Sequence, residues 1–412
     1  MKSKAWIVWF AAALIGLVSC SELNRPLAKQ ESRQRWKDVQ GRLKYQLAVE
    51  NYDLGYFDQA EKYLEESIGL APTLSDSYIL LAKLSLEKGE LAYASNALDK
   101  ALRNGNDSAE LYYLNAIIAE RYTRYADALS WYRGAAERDP LNAHYIAATA
   151  ETLVALNRPA EALELVLAKW TDFENNATLR SLAGGIYVML GRYEEAANAY
   201  RAAVQIAPDD VTLKSQLGLA LTISEGYQEA LPILKSVAND VENVPVSLLT
   251  ALGRCHLELG EAENAKVVFR RTVEIDNSHP RSWSLLARAA LASDDLLTAR
   301  QATDRAVQLD MNNGEYVLLL GYICWRQQDY LTAVQCLTQV LENNPNELMA
   351  LYIMADSHRA LGDAKAADKC YQRALRVNPQ CEWAKRYLNR GSVFKYQYDD
   401  GRSMADGGVQ SP

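Results

Sequence analysis

The chain has 412 residues, 49% of them apolar and 23% charged, with a formal net charge of −8. That composition is ordinary for a folded protein, and the acidic balance argues against a protein that wraps nucleic acid or coats an anionic membrane. Length alone suggests two or three domains, a prior that fails if the chain is built of repeats. Ala, Leu, Glu and Tyr are frequent and prolines number only 11, so the chain leans helical.

The first element is the N-terminus. Met1-Lys2-Ser3-Lys4 is a short basic stretch, followed by "AWIVWFAAALIGLVS", fifteen residues without a charge. As a helix this run is roughly 22 Å long, short of a ~30 Å hydrocarbon core and in the range of a signal peptide. Leu17-Val18-Ser19-Cys20 resembles the bacterial lipobox, with a branched apolar residue, two small residues and the cysteine whose sulfur takes the lipid. The resemblance implies a signal peptide over 1–19 and a mature chain starting at lipidated Cys20; the alternative is a signal anchor with an incidental cysteine. Ser21 rather than Asp implies, by resemblance to Gram-negative lipoproteins, the periplasm-facing side of the outer membrane. Residues 21–40 are polar, with Arg25, Lys29, Arg33, Arg35 and Lys37, and read as a solvated tether that becomes helical near its end; the alternative is a basic segment that touches anionic headgroups beside the anchor.

A 34-residue period follows. "LAGGIYVMLGRYEEAANAYRAAVQIAP" (182–208) and "MADSHRALGDAKAADKCYQRALRVNP" (354–379) share small, bulky, Gly, Ala, aromatic and Pro residues at the same offsets. Repeat starts fall at 41, 75, 109, 143, 177 and 211; one extra residue near Pro245 shifts the register, and starts continue at 246, 280, 314 and 348. Position 20 of the unit is Ala in all ten: Ala60, Ala94, Ala128, Ala162, Ala196, Ala230, Ala265, Ala299, Ala333 and Ala367. Position 8 is always Ala or Gly, so two helix backbones can close on each other there. Position 24 is large in nine units, with Thr303 the exception, and fills the space between repeats. Gly55, Gly89, Gly191, Gly260 and Gly362 mark the turn, and Pro at position 32 ends the second helix in five units.

This pattern resembles the tetratricopeptide repeat, a helix–turn–helix unit. The resemblance implies an all-α, right-handed superhelical solenoid of about ten repeats, six over 41–244 and four over 246–381. A capping helix over 382–390 and a disordered tail over 391–412, rich in Gly, Ser and Asp, complete the expected organisation. The unit at 143–176 departs most, with Thr149, Asn157, Lys169 and Glu174 against the pattern, and the unit at 211–244 has Gly226 one place late.

The chemistry-bearing motifs are absent: no HExxH, GxSxG, P-loop or dinucleotide fingerprint occurs. His144, His256, His279 and His358 stand in separate repeats, and the five cysteines after Cys20 lack zinc or disulfide-framework spacing and read as buried single thiols, the alternative being a bridge between Cys324 and Cys336 or between Cys370 and Cys381. No catalytic residue, metal or cofactor is expected. By the resemblance, function resides on a concave surface lined by first helices, with positions 2, 5, 9 and 12 facing a ligand. In 177–244 these are small and neutral: Thr178, Ser181, Gly185, Val188, Thr212, Ser215, Leu219 and Thr222. Further on they change to Arg254, Arg281, Arg288, Tyr322, Trp325, Tyr352 and Arg359. Arg forks match carboxylates and Tyr and Trp are anchoring residues, so these seven are the candidate site for an acidic or aromatic-containing peptide or helix. The opposing reading has the arginines paired with Glu258, Glu315 and Asp356 and the aromatics in the core. Lys83 lacks the companions of a peptide-carboxylate clamp. The expected function is a non-enzymatic adaptor in the cell envelope, serving pilus or secretion machinery, peptidoglycan processing or exopolysaccharide export. The alternative is a lipoprotein that captures glycan or peptidoglycan fragments.

Overall fold

The computed structural model describes residues 4–241 and 243–389, with side chains over 29–388 apart from 240 and 242. Cys20 and its lipobox, and the tail at 391–412, lie outside the described side chains. All described elements are helices, and the chain forms two compact units, Met1–Ala207 and Pro208–Pro412.

The first unit stacks five hairpins: α1 (Lys4–Asp53) with α2 (Phe57–Leu70), α3 (Ser75–Glu87) with α4 (Leu91–Arg103), α5 (Ala109–Arg121) with α6 (Tyr125–Arg138), α7 (Ala143–Ala155) with α8 (Pro159–Ala168), and α9 (Ala177–Met189) with α10 (Tyr193–Ile206). The second pairs α11 (Val211–Ile223) with α12 (Tyr227–Asp240), α13 (Val246–Glu258) with α14 (Ala262–Ile275), α15 (Pro280–Ala292) with α16 (Leu296–Leu309), α17 (Gly314–Arg326) with α18 (Tyr330–Asn343), and α19 (Leu348–Ala360) with α20 (Ala364–Val377). A short α21 (Glu382–Asn389) closes its end, burying Ala384 and stacking Tyr387 on Tyr371 at 3.9 Å.

Each hairpin turns the same way. The residue at position 15 takes the left-handed conformation in all ten units, and the next N–H donates to the carbonyl five residues back, as from Tyr56 to Asn51 at 2.8 Å. This is the hydrogen bond that closes a Schellman motif. Five of the ten are glycines; the other five are Thr123, Asn157, Glu225, Asp294 and Gln328. The late Gly226 is therefore not the turn residue of its unit: Glu225 holds φ +64 while Gly226 is the N-cap of α12 at φ −77. Thr123, β-branched at φ +58, is the most strained of the set. Thr123→Gly should stabilise the protein by roughly 0.5–1 kcal/mol, the relief of the left-handed penalty less the extra chain entropy. Urea unfolding checks this; an unchanged or lowered midpoint would mean that the threonine is unstrained.

The hairpins close on small residues. All ten position-20 alanines are fully buried. Position 8 faces the large residue at position 24 of its own hairpin. A Cβ on Gly184, Gly218 or Gly253 would lie 2.7, 2.5 or 2.6 Å from Tyr200, Leu234 or Phe269. Those side chains therefore occupy the room that the missing Cβ leaves. Thr303, the small exception at position 24, is fully buried and donates its hydroxyl to the Ala299 carbonyl at 2.7 Å.

The departing unit at 143–176 shows why it departs. Position 27 is small or β-branched and buried in the other nine units, whereas here it is Lys169, which stays partly exposed and bonds Asp172 at 3.1 Å. A lysine costs too much to bury unpaired, so α8 stops just before it, after ten residues, where the other second helices run for thirteen or fourteen. A cleft of about 610 Å³ opens beside it, lined by Arg133, Glu137, Ile146, Leu153, Glu164 and Lys169.

Two helix-start carboxylates contribute to the acid sensitivity of the second unit, beside Glu261 and Asp276, which are held down first by Asn264 and Ser278. Asp295 caps α16, held below its ordinary pKa by the Thr298 N–H and hydroxyl and then by Lys266. Asp329 caps α18 and is held down by Thr332 and then by Arg300. A carboxylate depressed in the folded state contributes stability above its unfolded pKa of about 4 and loses it as the pH falls. Asp304, pushed up by burial, works in the opposite direction. The urea midpoint should therefore fall between pH 6 and pH 3, and the Asp295→Asn, Asp329→Asn double variant should fall less steeply. Parallel pH profiles would show that the two caps carry none of the effect.

Candidate partner-binding site

The seven candidate residues stand on the first helices α13, α15, α17 and α19 of the second unit, and they separate into two groups. The basic group is the more open. Arg281 and Arg288 are exposed on α15, two turns apart, and both pull on the hydroxyl of Tyr316, whose pKa burial raises. Arg288 reaches Glu315 at 4.0 Å, with 55% and 79% of the two side chains exposed, a pair worth little in water. Arg281 makes no ion pair among the described residues. Arg254, on the preceding hairpin, is half-buried against the Tyr227 hydroxyl of α12 rather than paired with Glu258. Two of the three arginines thus keep guanidinium capacity facing solvent, and the third lends part of its own to a tyrosine.

The aromatic group is bound into the fold. Tyr322 and Trp325 lie 5.6 Å apart, Trp325 and Tyr352 6.4 Å, and Tyr352 and Trp383 of the capping helix 5.0 Å. All four pack against the core cluster around Leu337, Leu351 and Tyr371. The indole N–H of Trp325 donates to Asp356 Oδ2 at 2.8 Å, and Arg359 donates to Asp356 Oδ1 at 2.6 Å. For Arg359 the pairing with Asp356 is the one formed, and for Arg288 the contact with Glu315 is at its outer limit.

Other expected groove residues are also placed. Thr222 does not line a groove: it is buried, its hydroxyl donating to the Gly218 carbonyl at 2.7 Å with Cys255 Sγ 3.4 Å away. Ser215 is half-buried and turns its hydroxyl onto the Val211 carbonyl. In the first unit Lys83 is paired with Glu110.

The sequence reading missed Tyr227, Tyr316 and Trp383. Tyr227 opens a second helix and Trp383 lies in the cap, so a rule confined to first helices passes over both. Tyr316 stands at position 3, between the two positions that the rule takes.

Nothing among the described residues forms a group of three or more potential metal ligands. His256 is buried with Nδ1 2.7 Å from Glu261 Oε2. The five described cysteines are free thiols; burial pushes Cys324 up to about 11, so it carries no thiolate near neutral pH.

The fold and the regular 8/20/24 packing define a helical-repeat protein of 34-residue hairpins. Family models described as tetratricopeptide repeats match residues 41–74, 79–143, 184–222, 223–289, 284–347 and 318–380. The chain belongs to the tetratricopeptide-repeat family. A TPR repeat-containing protein of Pseudomonas aeruginosa is 35% identical over 81 residues, 20% of this chain and 75% of that protein. A TPR repeat-containing protein of Treponema pallidum is 23% identical over 376 residues, 79% of this chain and 44% of its own length. This chain spans less than half of the longer curated relatives that it matches. Among solved structures, MamA from Desulfovibrio magneticus RS-1, residues 41 to the end, is 24% identical with a TM-score of 0.39, covering 42% of this chain and 96% of its own. Proteins of this family act as protein-interaction scaffolds.

Proposed function

We propose that this protein is a non-enzymatic adaptor of the bacterial cell envelope, held at the periplasmic face of the outer membrane by a lipid on Cys20. It recruits or stabilises polypeptide components of a larger envelope assembly. The sequence order of basic start, apolar run and lipobox supports the anchor. The observation that carries the adaptor role is the open basic group of the second unit. Arg281 and Arg288, with Arg254 on the hairpin before, offer forked donors to an acidic polypeptide segment. The aromatic group supports this surface from the core and is not its main contact.

The test compares crosslinked pull-downs from the membrane fraction for the natural chain, Cys20→Ala, and Arg254→Glu with Arg288→Glu. Envelope proteins recovered only with the natural chain are the expected result. Cys20→Ala recovering the same partners from the soluble fraction would overturn the anchor. Unchanged recovery by the double arginine variant would overturn the site. Glycan binding by purified protein with no polypeptide recovered would favour the fragment-binding alternative.

A further inference from the structure

Helix α1 carries a feature that neither the repeat packing nor the adaptor site uses. Its hairpin partner α2 ends at Leu70, opposite Gly41, so the turns of α1 before Gly41 overshoot the hairpin. The rotation of α1 is fixed there. A Cβ on Gly41 would lie 2.5 Å from Ala71 Cβ, and Ser67 Oγ donates to the Gly41 carbonyl at 2.8 Å. Ala48, two turns on, is fully buried on the same side.

With that face turned inward, the opposite face is set. At about 100° per residue, Trp36, Val39 and Leu43 fall within roughly 60° of one another on the outer side. They are 63%, 57% and 56% exposed, and no described element covers them. Arg33 lies on one flank of this stripe and Arg35 and Arg42 on the other, all exposed. Among the described residues the sole ion pair of these three is Arg35 with Glu31 at 3.8 Å, between largely exposed side chains. Residues 29–44 hold six basic side chains against two acidic, in a chain of net charge −8. Of the two acidic residues, Asp38 lies toward the inner side, and Glu31 sits beside the Arg35 and Arg42 flank, where it meets Arg35.

An apolar stripe with a tryptophan, bordered by arginines, fits a membrane interface: the apolar groups enter the headgroup boundary and the guanidinium groups reach the lipid phosphates. We propose that this face of α1 docks on an anionic lipid surface and orients the first unit against the membrane. The stripe begins sixteen residues after Cys20. A lipid there would raise its local concentration at the bilayer, but the docking does not need the lipid. In a symmetric dimer through this face the arginines of the two copies would oppose each other, so the charge favours an anionic lipid surface over a second copy.

The test uses the full chain with Cys20→Ser and Cys336→Ser, labelled at Val39→Cys with the fluorophore NBD. The other four described thiols are buried. With phosphatidylglycerol vesicles the emission should shift to the blue and be quenched by spin-labelled lipid; with phosphatidylcholine vesicles both effects should be small. The same label at Gln34→Cys, on the inner side of the overshooting turns, should stay aqueous. Replacing Arg33, Arg35 and Arg42 by Gln should raise the lipid concentration needed about fivefold for each, roughly a hundredfold together. These side chains are exposed, so the variants should keep the native far-ultraviolet spectrum. An aqueous signal at residue 39 on anionic vesicles would overturn the proposal. So would a blue shift that grows with protein concentration without lipid, which would assign the stripe to a second copy. Mass spectrometry of the cellular protein reads lipid on Cys20 separately, so failure here leaves the anchored adaptor standing, and loss of the lipid leaves this face standing.

Discussion

Phe269→Ala should destabilise the second unit by about 3–5 kcal/mol, the cost of emptying a well-packed aromatic site. Phe269 is fully buried at position 24 of its hairpin, in a cluster with Val273, Leu286, Ala287 and Ala302. The ring sits against Gly253, where a Cβ would come within 2.6 Å of Cε1 and Cζ. Gly253→Ala therefore sets two effects against each other. Alanine gains up to ~1 kcal/mol of helix propensity, while overpacking a rigid site costs ~1–3 kcal/mol. Because Phe269 has no solvent-facing side to retreat toward, the clash should win, with a net loss of about 1–2 kcal/mol.

A second substitution decides whether the clash is the cause. The pairs Ala48 with Leu64 and Ala82 with Leu98 occupy the same two positions in the first two hairpins, and all four residues are fully buried. Gly253→Ala with Phe269→Leu transplants that pair. The double variant should lie within ~1 kcal/mol of the natural protein and above the sum of its single effects, because neighbouring sites couple. Repeat arrays unfold piecewise, so amide exchange in α13–α16 is the sharper readout, and amides of α3–α6 should keep their protection. Additive single effects, or a Gly253→Ala variant as stable as the natural protein, would show that the ring has room.

The same pairs explain how much could be read in advance. Position 20 was legible because only a methyl group fits between two helix backbones, and every unit carries that methyl group as Ala. The turn was legible only where evolution had used Gly. At Thr123, Asn157, Glu225, Asp294 and Gln328 the hairpin imposes φ between +58 and +65; Asn157 and Asp294 are types that accept it, but Thr123, Glu225 and Gln328 rarely adopt it and no local signal marks those three. Gly226 pointed to the wrong residue because Gly also serves as an N-cap. Lys169 was recognised as a departure, but its consequence, a shortened α8 and an open cleft, follows from the cost of burying an ammonium group rather than from spacing. In the candidate site, position along the helix identified Arg281 and Arg288 as exposed. It could not separate them from Trp325 and Arg359, whose partner Asp356 lies 31 residues from the indole N–H. Hydrogen bonds between hairpins depend on three-dimensional packing that the repeat pattern leaves free. Thr222 shows the same limit: its ligand-facing position is cancelled by a hydroxyl that prefers its own helix carbonyl.

Asp356→Ala should destabilise the second unit by about 1–3 kcal/mol, because it strips a half-buried indole N–H of its acceptor and leaves Arg359 without its 2.6 Å partner. The carboxylate has only 15% of its side chain exposed, so water replaces it poorly at the indole. Asp356→Asn keeps an oxygen for Trp325 and gives up the charge toward Arg359, so its cost should be less than half as large. Trp325→Phe separates the two bonds: with the donor gone, Asp356→Ala should cost about 1 kcal/mol less than it does in the natural protein. Strict additivity would mean that the indole bond contributes nothing. The comparison also bears on function. If the aromatic group braces the capping end while the arginines meet the partner, Asp356→Asn should leave partner recovery intact and Arg254→Glu with Arg288→Glu should abolish it. The reverse pattern would place recognition on the aromatic face and make Asp356 the residue that presents it.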